Sequence, residues 1–406
     1  MKTNRTSRSS RVPNNLPPRP HPFVNREEEI RQAISALLQD KASVVALIGM
    51  AGIGKTSLAL EITYRLLDKG QFAGGMIWLP VRDLPSFDDL TGKVGTILGI
   101  SDSEVYSRLD SQRCLVILDG LDELNPHYAP EVERFLETLP APSKALVTSR
   151  KESALPPQTT VIQLGPFSEQ AAIEFFSSLA IHHGIQTSEE DCEKIAGIVR
   201  TLDYHPLALA IAASMAQRRS FDELLFGLQE SIANLSEREG QIEDALKYWS
   251  QMLETLKQTG TYSDTLRAKV DYNLGRLLAQ QGRWYDGLSL LEESLAIRRL
   301  GNDLNAHAAT IYQIARVHHL IGNLDTARIH YRDALRLYEH TGNAQGVAAC
   351  KTGLGRLMIQ TGFVDDALRE LEPAKQIYRQ LGDDRRIAEV DEVLQVANHI
   401  KERQPA

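Results

Sequence analysis

The chain has 406 residues, too many for one ordinary domain, and its 42% hydrophobic and 24% charged content excludes a largely disordered protein. Three widely separated cysteines (Cys114, Cys192, Cys350) exclude a disulfide framework, and a net charge of −8 argues against a nucleic-acid partner. No apolar run reaches the roughly 18 residues that cross a bilayer and no secretory leader is visible, so a cytoplasmic protein without a membrane partner is expected.

In chain order, residues 1–22 are basic and proline-rich, with Lys2, Arg5, Arg8, Arg11 and Arg19 and no acid before Glu27. This composition predicts a mobile, disordered arm. From 23 to 166 the pattern alternates. Apolar β-rich runs at Val44–Ile48, Met76–Val81, Cys114–Leu118, Ala145–Thr148 and Thr160–Leu164 are separated by helical stretches such as Arg26–Leu38, Lys55–Leu67 and Ala129–Thr138. Continuous apolar strands between helices predict a parallel five-stranded sheet covered on both faces, an α/β domain. Residues 167–225 carry no strand signal and predict a small helical domain.

The first apolar strand runs into Gly49, Gly54, Lys55 and Thr56 at the spacing G-x-x-x-x-G-K-[ST]. A chance match in a chain this long is on the order of 10⁻² from composition. Glycines there let backbone N–H groups wrap phosphates, so Gly49, Gly52, Ile53, Gly54, Lys55, Thr56 and Ser57 are candidate nucleotide-binding positions in a P-loop. Lys55 would reach the β- and γ-phosphates and Thr56 would ligate Mg²⁺. Asp119 ends the third apolar strand, where a carboxylate meets the magnesium shell. Asp122 and Glu123 follow it, and either one would orient or deprotonate the attacking water. Arg150 leaves the fourth strand on the P-loop side and would contact the γ-phosphate. The catalytic candidates are thus Lys55, Asp119, Asp122, Glu123 and Arg150, the metal candidates Thr56 and Asp119, and the cofactors ATP or ADP with Mg²⁺.

Beyond residue 226 the chain is helical and repeats every 40 residues: Gly282, Gly322 and Gly362; Gly287, Ala327 and Ala367; Ser294, Ala334 and Ala374. An earlier, looser copy has Ala233, Gly240 and Ala245. Such spacing predicts helix pairs with small residues where two helices approach closely, stacked into an all-α solenoid over 226–383, with a capping helix and tail over 384–406. Arg276, Arg316 and Arg356 share this period, and Tyr272 and Tyr312 lie one turn before the first two, which makes the five a candidate partner groove for a protein or peptide.

The segments YNLGRLLAQQGRWYDG, YQIARVHHLIGNLDTA and TGLGRLMIQTGFVDDA resemble tetratricopeptide repeats of the longer, forty-residue kind. The motifs ahead of them resemble STAND-class signalling NTPases of the NB-ARC and NACHT type. LPPRPHPFVNREEEI is similar to the adenine-side signature of that class and LDGLDEL to the NACHT form of the magnesium-binding strand end. VTSR resembles the NB-ARC sensor, and HPLALAIAAS its helical-domain motif, so the order of motifs leans towards NB-ARC. The resemblance implies that Phe23, Val24, Arg26 and Pro206 lie near the base or ribose. Fewer than forty residues separate Pro206 from the first repeat, too few for the winged-helix domain that follows in that class, so its ADP-locked state is not expected. The function expected from these readings is an ATP-binding regulatory switch with slow hydrolysis, partner sensing by the repeats and, by resemblance, ATP-dependent self-association. The alternatives are a nucleotide-stabilised interaction scaffold that does not turn over ATP, and a transcriptional regulator of the same layout, for which no DNA-binding unit is visible.

Overall fold

A computed structural model describes residues 12–39, 42–83, 86–125, 127–152, 155–259 and 263–403. The chain divides into two compact units, 1–225 and 226–406.

The first unit is built on five parallel strands: β1 (Val44–Ile48), β2 (Gly75–Pro80), β3 (Cys114–Asp119), β4 (Lys144–Ser149) and β5 (Thr160–Gln163), in the order β2-β3-β4-β1-β5. Helices α1 (Glu27–Leu38), α2 (Lys55–Asp68), α3 (Phe87–Leu98), α4 (Val105–Ser111) and α5 (Ala129–Glu137) connect and cover them. Successive strand residues point to opposite faces, and both faces are used. Val44, Ala46, Ile48, Val116 and Leu118 join Leu90, Val94, Val132 and Phe135 in one core. Val45, Leu47, Leu115 and Ile117 join Ile30, Leu37, Leu58 and Ile62 in the other. The strand order sets β4 between β1 and β3, so the carboxyl ends of these three strands are adjacent. Four helices complete the unit at its carboxyl side: α6 (Glu169–His182), α7 (Cys192–Thr201), α8 (Pro206–Met215) and the start of α9 (Phe221–Arg238).

The arm departs from its expected disorder. Residues 1–11 lie outside the described residues, but the arm from Val12 on is held against the protein, first at the sheet edge and then along α2. Val12 and Leu16 pack on the core beside α1 and α2. Met76 N–H donates to Pro13 O at 2.9 Å. The Asn15 side chain accepts from Trp78 N–H and donates to Trp78 O, both at 2.8 Å, so the arm occupies the free edge of β2. Further along, Arg19 clamps the buried Glu61 carboxylate with two bonds of 2.8 Å. The prolines that forbid a helix favour the extended backbone an edge strand accepts, and Glu61 would be a costly lone charge without Arg19 and Arg65.

The second unit is a stack of helix pairs: α9 with α10 (Ile242–Thr259), α11 (Asp264–Gln280) with α12 (Trp284–Arg298), α13 (Leu304–Ile321) with α14 (Leu324–Thr341), α15 (Ala344–Gln360) with α16 (Val364–Leu381), and a final α17 (Asp384–Arg403). The forty-residue small residues stand where the helices of a pair touch. A Cβ on Gly287 would lie 2.5 Å from Gly275 O, so only glycine allows that approach. First helices also meet one another, α11 with α13, α13 with α15 and α15 with α17, which makes them the inner layer of the stack.

Candidate nucleotide site

The loop after β1 turns back into α2 through Gly52 and Gly54, at φ 72° and 97°, conformations that a side chain disfavours. Gly49 cannot be enlarged either, because a Cβ would sit 2.7 Å from Leu164 O. The loop is also braced from outside. His205 Nε2 bonds Ala51 O at 2.9 Å and Leu207 N–H donates to Gly52 O at 3.2 Å, so the first turn of α8 holds the loop's shape. Lys55, the first residue of α2, donates from Nζ to Gly49 O and Met50 O, both at 2.8 Å. Burial pulls the Lys55 pKa below the usual lysine value, with Arg150 adding to that and Asp122 opposing it.

Opposite the loop, the ends of β3 and β4 supply a connected set of polar groups. Thr56 Oγ1 and Thr148 Oγ1 donate to the same Asp119 oxygen at 2.8 and 2.7 Å, and Thr148 Oγ1 accepts from Gly120 N–H at 2.8 Å. The two acids that follow are used differently. Asp122 takes the Arg150 backbone N–H on one oxygen and Arg150 Nε on the other, both at 2.9 Å. Glu123 meets Arg150 only at 3.4 Å and is far more exposed, 45% against 13%. Asp122 therefore holds Arg150 at both its backbone and its side chain, while Glu123 is the more exposed of the two and touches Arg150 only at the longer distance.

These groups line one cavity of about 280 Å³, walled by Ala51, Gly52, Lys55, Thr56, Asp119, Gly120, Asp122, Glu123, Thr148 and Arg150, together with Pro80 and Arg82. An ammonium and a guanidinium facing a hydroxyl–carboxylate pair are the donor set that a polyphosphate with its magnesium requires, so the residues fit that group. Five sequence-derived candidates, Lys55, Asp119, Asp122, Glu123 and Arg150, are brought together here with Gly52 and Thr56. Ile53 is instead fully buried under the loop, and Ser57 is half-buried in the first turn of α2.

The base-side candidates stand elsewhere. Arg26 is 8% exposed, pairs with Glu29 at 2.9 Å, donates to Gly165 O at 2.6 Å and lies over the Phe167 ring. It is a brace between α1 and the segment after β5. Asn25 and Arg26 both adopt positive φ, 59° and 75°, and the Asn25 side chain accepts from Arg26 N–H. Phe23 and Val24 pack against the protein interior, and Pro206 is buried at the start of α8. None of these four lines the cavity. Pro80 and Arg82 were absent from the sequence-derived set. Their available signal was position, since each follows or ends a parallel strand at its carboxyl end.

In the repeat unit, Arg276 departs from its expected availability to a partner: Glu237 holds it with two bonds of 2.7 and 2.6 Å. Arg316 and Arg356 are exposed. The Tyr272 ring carries Arg298, 4.6 Å from its centroid, and Tyr312 is largely packed into the stack beside Tyr331.

Comparison with known proteins bears on both units. Residues 43–183 match the NACHT domain and residues 266–340 match the tetratricopeptide repeat. The chain is 25% identical over 349 residues to the regulatory protein AfsR of Streptomyces griseus, covering 80% of this chain and 33% of that protein. It is 27% identical over 220 residues to a nucleotide-binding leucine-rich repeat-like protein of Hyaloscypha variabilis, covering 47% and 22%. The chain thus spans about a fifth to a third of these relatives' length. Among solved structures, a STAND protein with a tetratricopeptide repeat sensor from Pyrococcus horikoshii aligns over 94% of this chain and 87% of its own, at 12% identity and TM-score 0.33. The family match implies nucleotide binding. This chain carries a P-loop NTPase domain of the NACHT type followed by tetratricopeptide repeats.

Proposed function

We propose that this protein is a STAND-type signalling switch that binds ATP with Mg²⁺, hydrolyses it slowly and senses a protein partner through its repeats. The observation that carries the reading is the convergence of Lys55, Thr56, Asp119, Glu123 and Arg150 on one cavity. In this reading residues 23–166 hold the phosphates, 167–225 brace the P-loop through His205 and Leu207, and 226–383 meet the partner. The regulatory name of a relative aligned over most of the chain supports a signalling use of turnover rather than a metabolic one.

Lys55 swings from the Gly49 and Met50 carbonyls to the phosphates, an exchange of neutral acceptors for anionic ones that favours binding. When bound, Mg²⁺ supplies charge neutralisation at the phosphate oxygens. Thr56 and Asp119 are the groups that would hold it, and Thr148 fixes the Asp119 carboxylate in place. Glu123 orients the attacking water, and Arg150, aimed by Asp122, meets the charge that builds on the transferred group. Association between copies of the ATP-bound chain belongs to the same reading.

Glu123→Gln tests it. This variant should keep ATP binding and release phosphate about a hundredfold more slowly, the size of a general-base contribution. Phosphate release by the unaltered protein no faster than by Lys55→Ala, with ATP still bound, would instead favour the non-hydrolysing scaffold.

A further inference from the structure

The recurring inner-helix arginine is answered differently in each copy of the repeat. Arg276, Arg316 and Arg356 each stand six residues before a glycine of positive φ that closes their helix: Gly282, Gly322 and Gly362. Arg276 reaches back to the previous inner helix, α9, and grips Glu237, which stands three residues before its own closing glycine, Gly240. The corresponding place on α11 is Ala279, and on α13 it is His319. By the repeat's period, the position that supplies a carboxylate to Arg276 is an alanine in the copy before Arg316. In the copy before Arg356 the same position is His319, whose imidazole is bonded to Gln360 at 2.9 Å.

Neither arginine finds an acid elsewhere among the described residues. Arg316 bonds only the neutral Gln313 oxygen, at 3.1 Å. Arg356 makes no hydrogen bond or ion pair, although it lines a shallow cavity of about 310 Å³ that Glu392 also borders. Both arginines, and Arg386 from α17, act electrostatically on the phenol of Tyr312, so the three inner helices present their guanidinium groups to one region. Arg386 is already met by Glu389 at 2.8 Å. Two unanswered cations remain, on adjacent inner helices.

We propose that Arg316 and Arg356 are a pair of carboxylate-binding positions, and that this face of the repeats takes an extended acidic segment of a partner protein, each carboxylate held as Arg276 holds Glu237. The inference rests on the partner-sensing role of the repeats and names the partner's chemistry. The planar fork of arginine matches a carboxylate with two parallel bonds, the arrangement already made at Arg276. Adjacent inner helices lie about 10 Å apart, and a segment in the extended polyproline II form advances about 3.1 Å per residue with about three residues per turn, which puts every third side chain on one face. A fitting segment therefore carries acids about three residues apart.

The test uses the full chain and a labelled ten-residue peptide with glutamate at every third position in a neutral background, read by fluorescence anisotropy. The peptide should bind, and its glutamine counterpart should bind at least about tenfold more weakly. Arg316→Gln and Arg356→Gln should each weaken binding about tenfold, while Arg276→Gln, whose partner is internal, leaves it within about twofold. Circular dichroism melts confirm that the variants are folded. Equal binding of the two peptides, no binding of the acidic one, or an Arg276→Gln loss as large as the other two overturns the proposal. A preference of more than about tenfold for phosphoserine at the same spacing overturns the carboxylate assignment. A fluorescent ATP analogue is titrated into the same samples. ATP binding without peptide binding defeats this inference alone, whereas peptide binding without ATP binding defeats the switch and leaves the acidic-segment site standing.

Discussion

Thr56, Asp119 and Thr148 meet within 2.8 Å across sequence gaps of 63 and 29 residues, whereas Arg276, Arg316 and Arg356 are placed by a count of forty. The first kind of site exists only because a sheet folds with β4 between β1 and β3. The second exists because one helix pair is copied, and each copy contributes the same position to the same inner layer. In the nucleotide unit every group at the cavity is unique, so its loss has no substitute. In the repeats the scaffold is redundant, and the copies differ at single positions, as Glu237, Ala279 and His319 do. A change at the cavity should therefore abolish one chemistry and spare the core, while a change in a repeat should loosen its neighbours and spare the chemistry.

The largest effect expected is on Lys55→Ala, which removes the ammonium from the loop. ATP affinity should fall by about two to three orders of magnitude in a fluorescent-nucleotide titration, with the melt of the nucleotide-free protein almost unmoved. A large melting shift without an affinity loss would erase the contrast between the units. Next in size is Leu371→Ala. Leu371 is fully buried in α16 and packs where a Cβ on Gly355 would sit. The truncation should cost about 3 kcal/mol by chemical denaturation, with hydrogen exchange rising in α15–α17 first and ATP affinity unchanged. Loss of ATP binding here would mean that the units are coupled more tightly than the comparison allows.

The smallest effect concerns Asp271 of α11. This carboxyl is fully buried, one of its oxygens has no partner, and burial pushes its pKa up to about 6 against the pull of Arg267. A carboxyl whose folded value lies above its unfolded one contributes stability below about pH 4, and that contribution is lost as pH rises through about 6. At pH 8 the ionised form is a liability. Asp271→Asn should therefore raise the repeat unit's stability by about 1 kcal/mol at pH 8 and by almost nothing at pH 4. Arg267 keeps Glu293 at 2.7 Å, so the change strands no cation. Destabilisation at pH 8 would show instead that the Arg267–Asp271 pair is a net support.

The parts legible in the sequence were those that announce themselves locally. The P-loop spacing, five apolar strands and forty-residue glycines each report a backbone requirement at their own position, and the strands formed within a residue or two of where they were expected. Partners distant in sequence were harder to read. Nothing in a run of prolines and arginines reveals that Asn15 matches the β2 edge or that Arg19 finds Glu61. Arg26 looked like a ligand group because its neighbours suggested one, yet its guanidinium is spent on Glu29 and Gly165. Asp122 and Glu123 were indistinguishable as adjacent acids. Only the position of Arg150 separates the tightly paired acid from the more exposed one.

The strip from Pro13 to Asn15 does for β2 what a sixth strand would, satisfying Met76 and Trp78 where they would otherwise offer open donors and acceptors. Replacing Asn15 or clipping the chain behind it would turn that rim into a template for foreign strands. Preparations cut there should clump through sheet-to-sheet zippering even though their hydrophobic interior is intact.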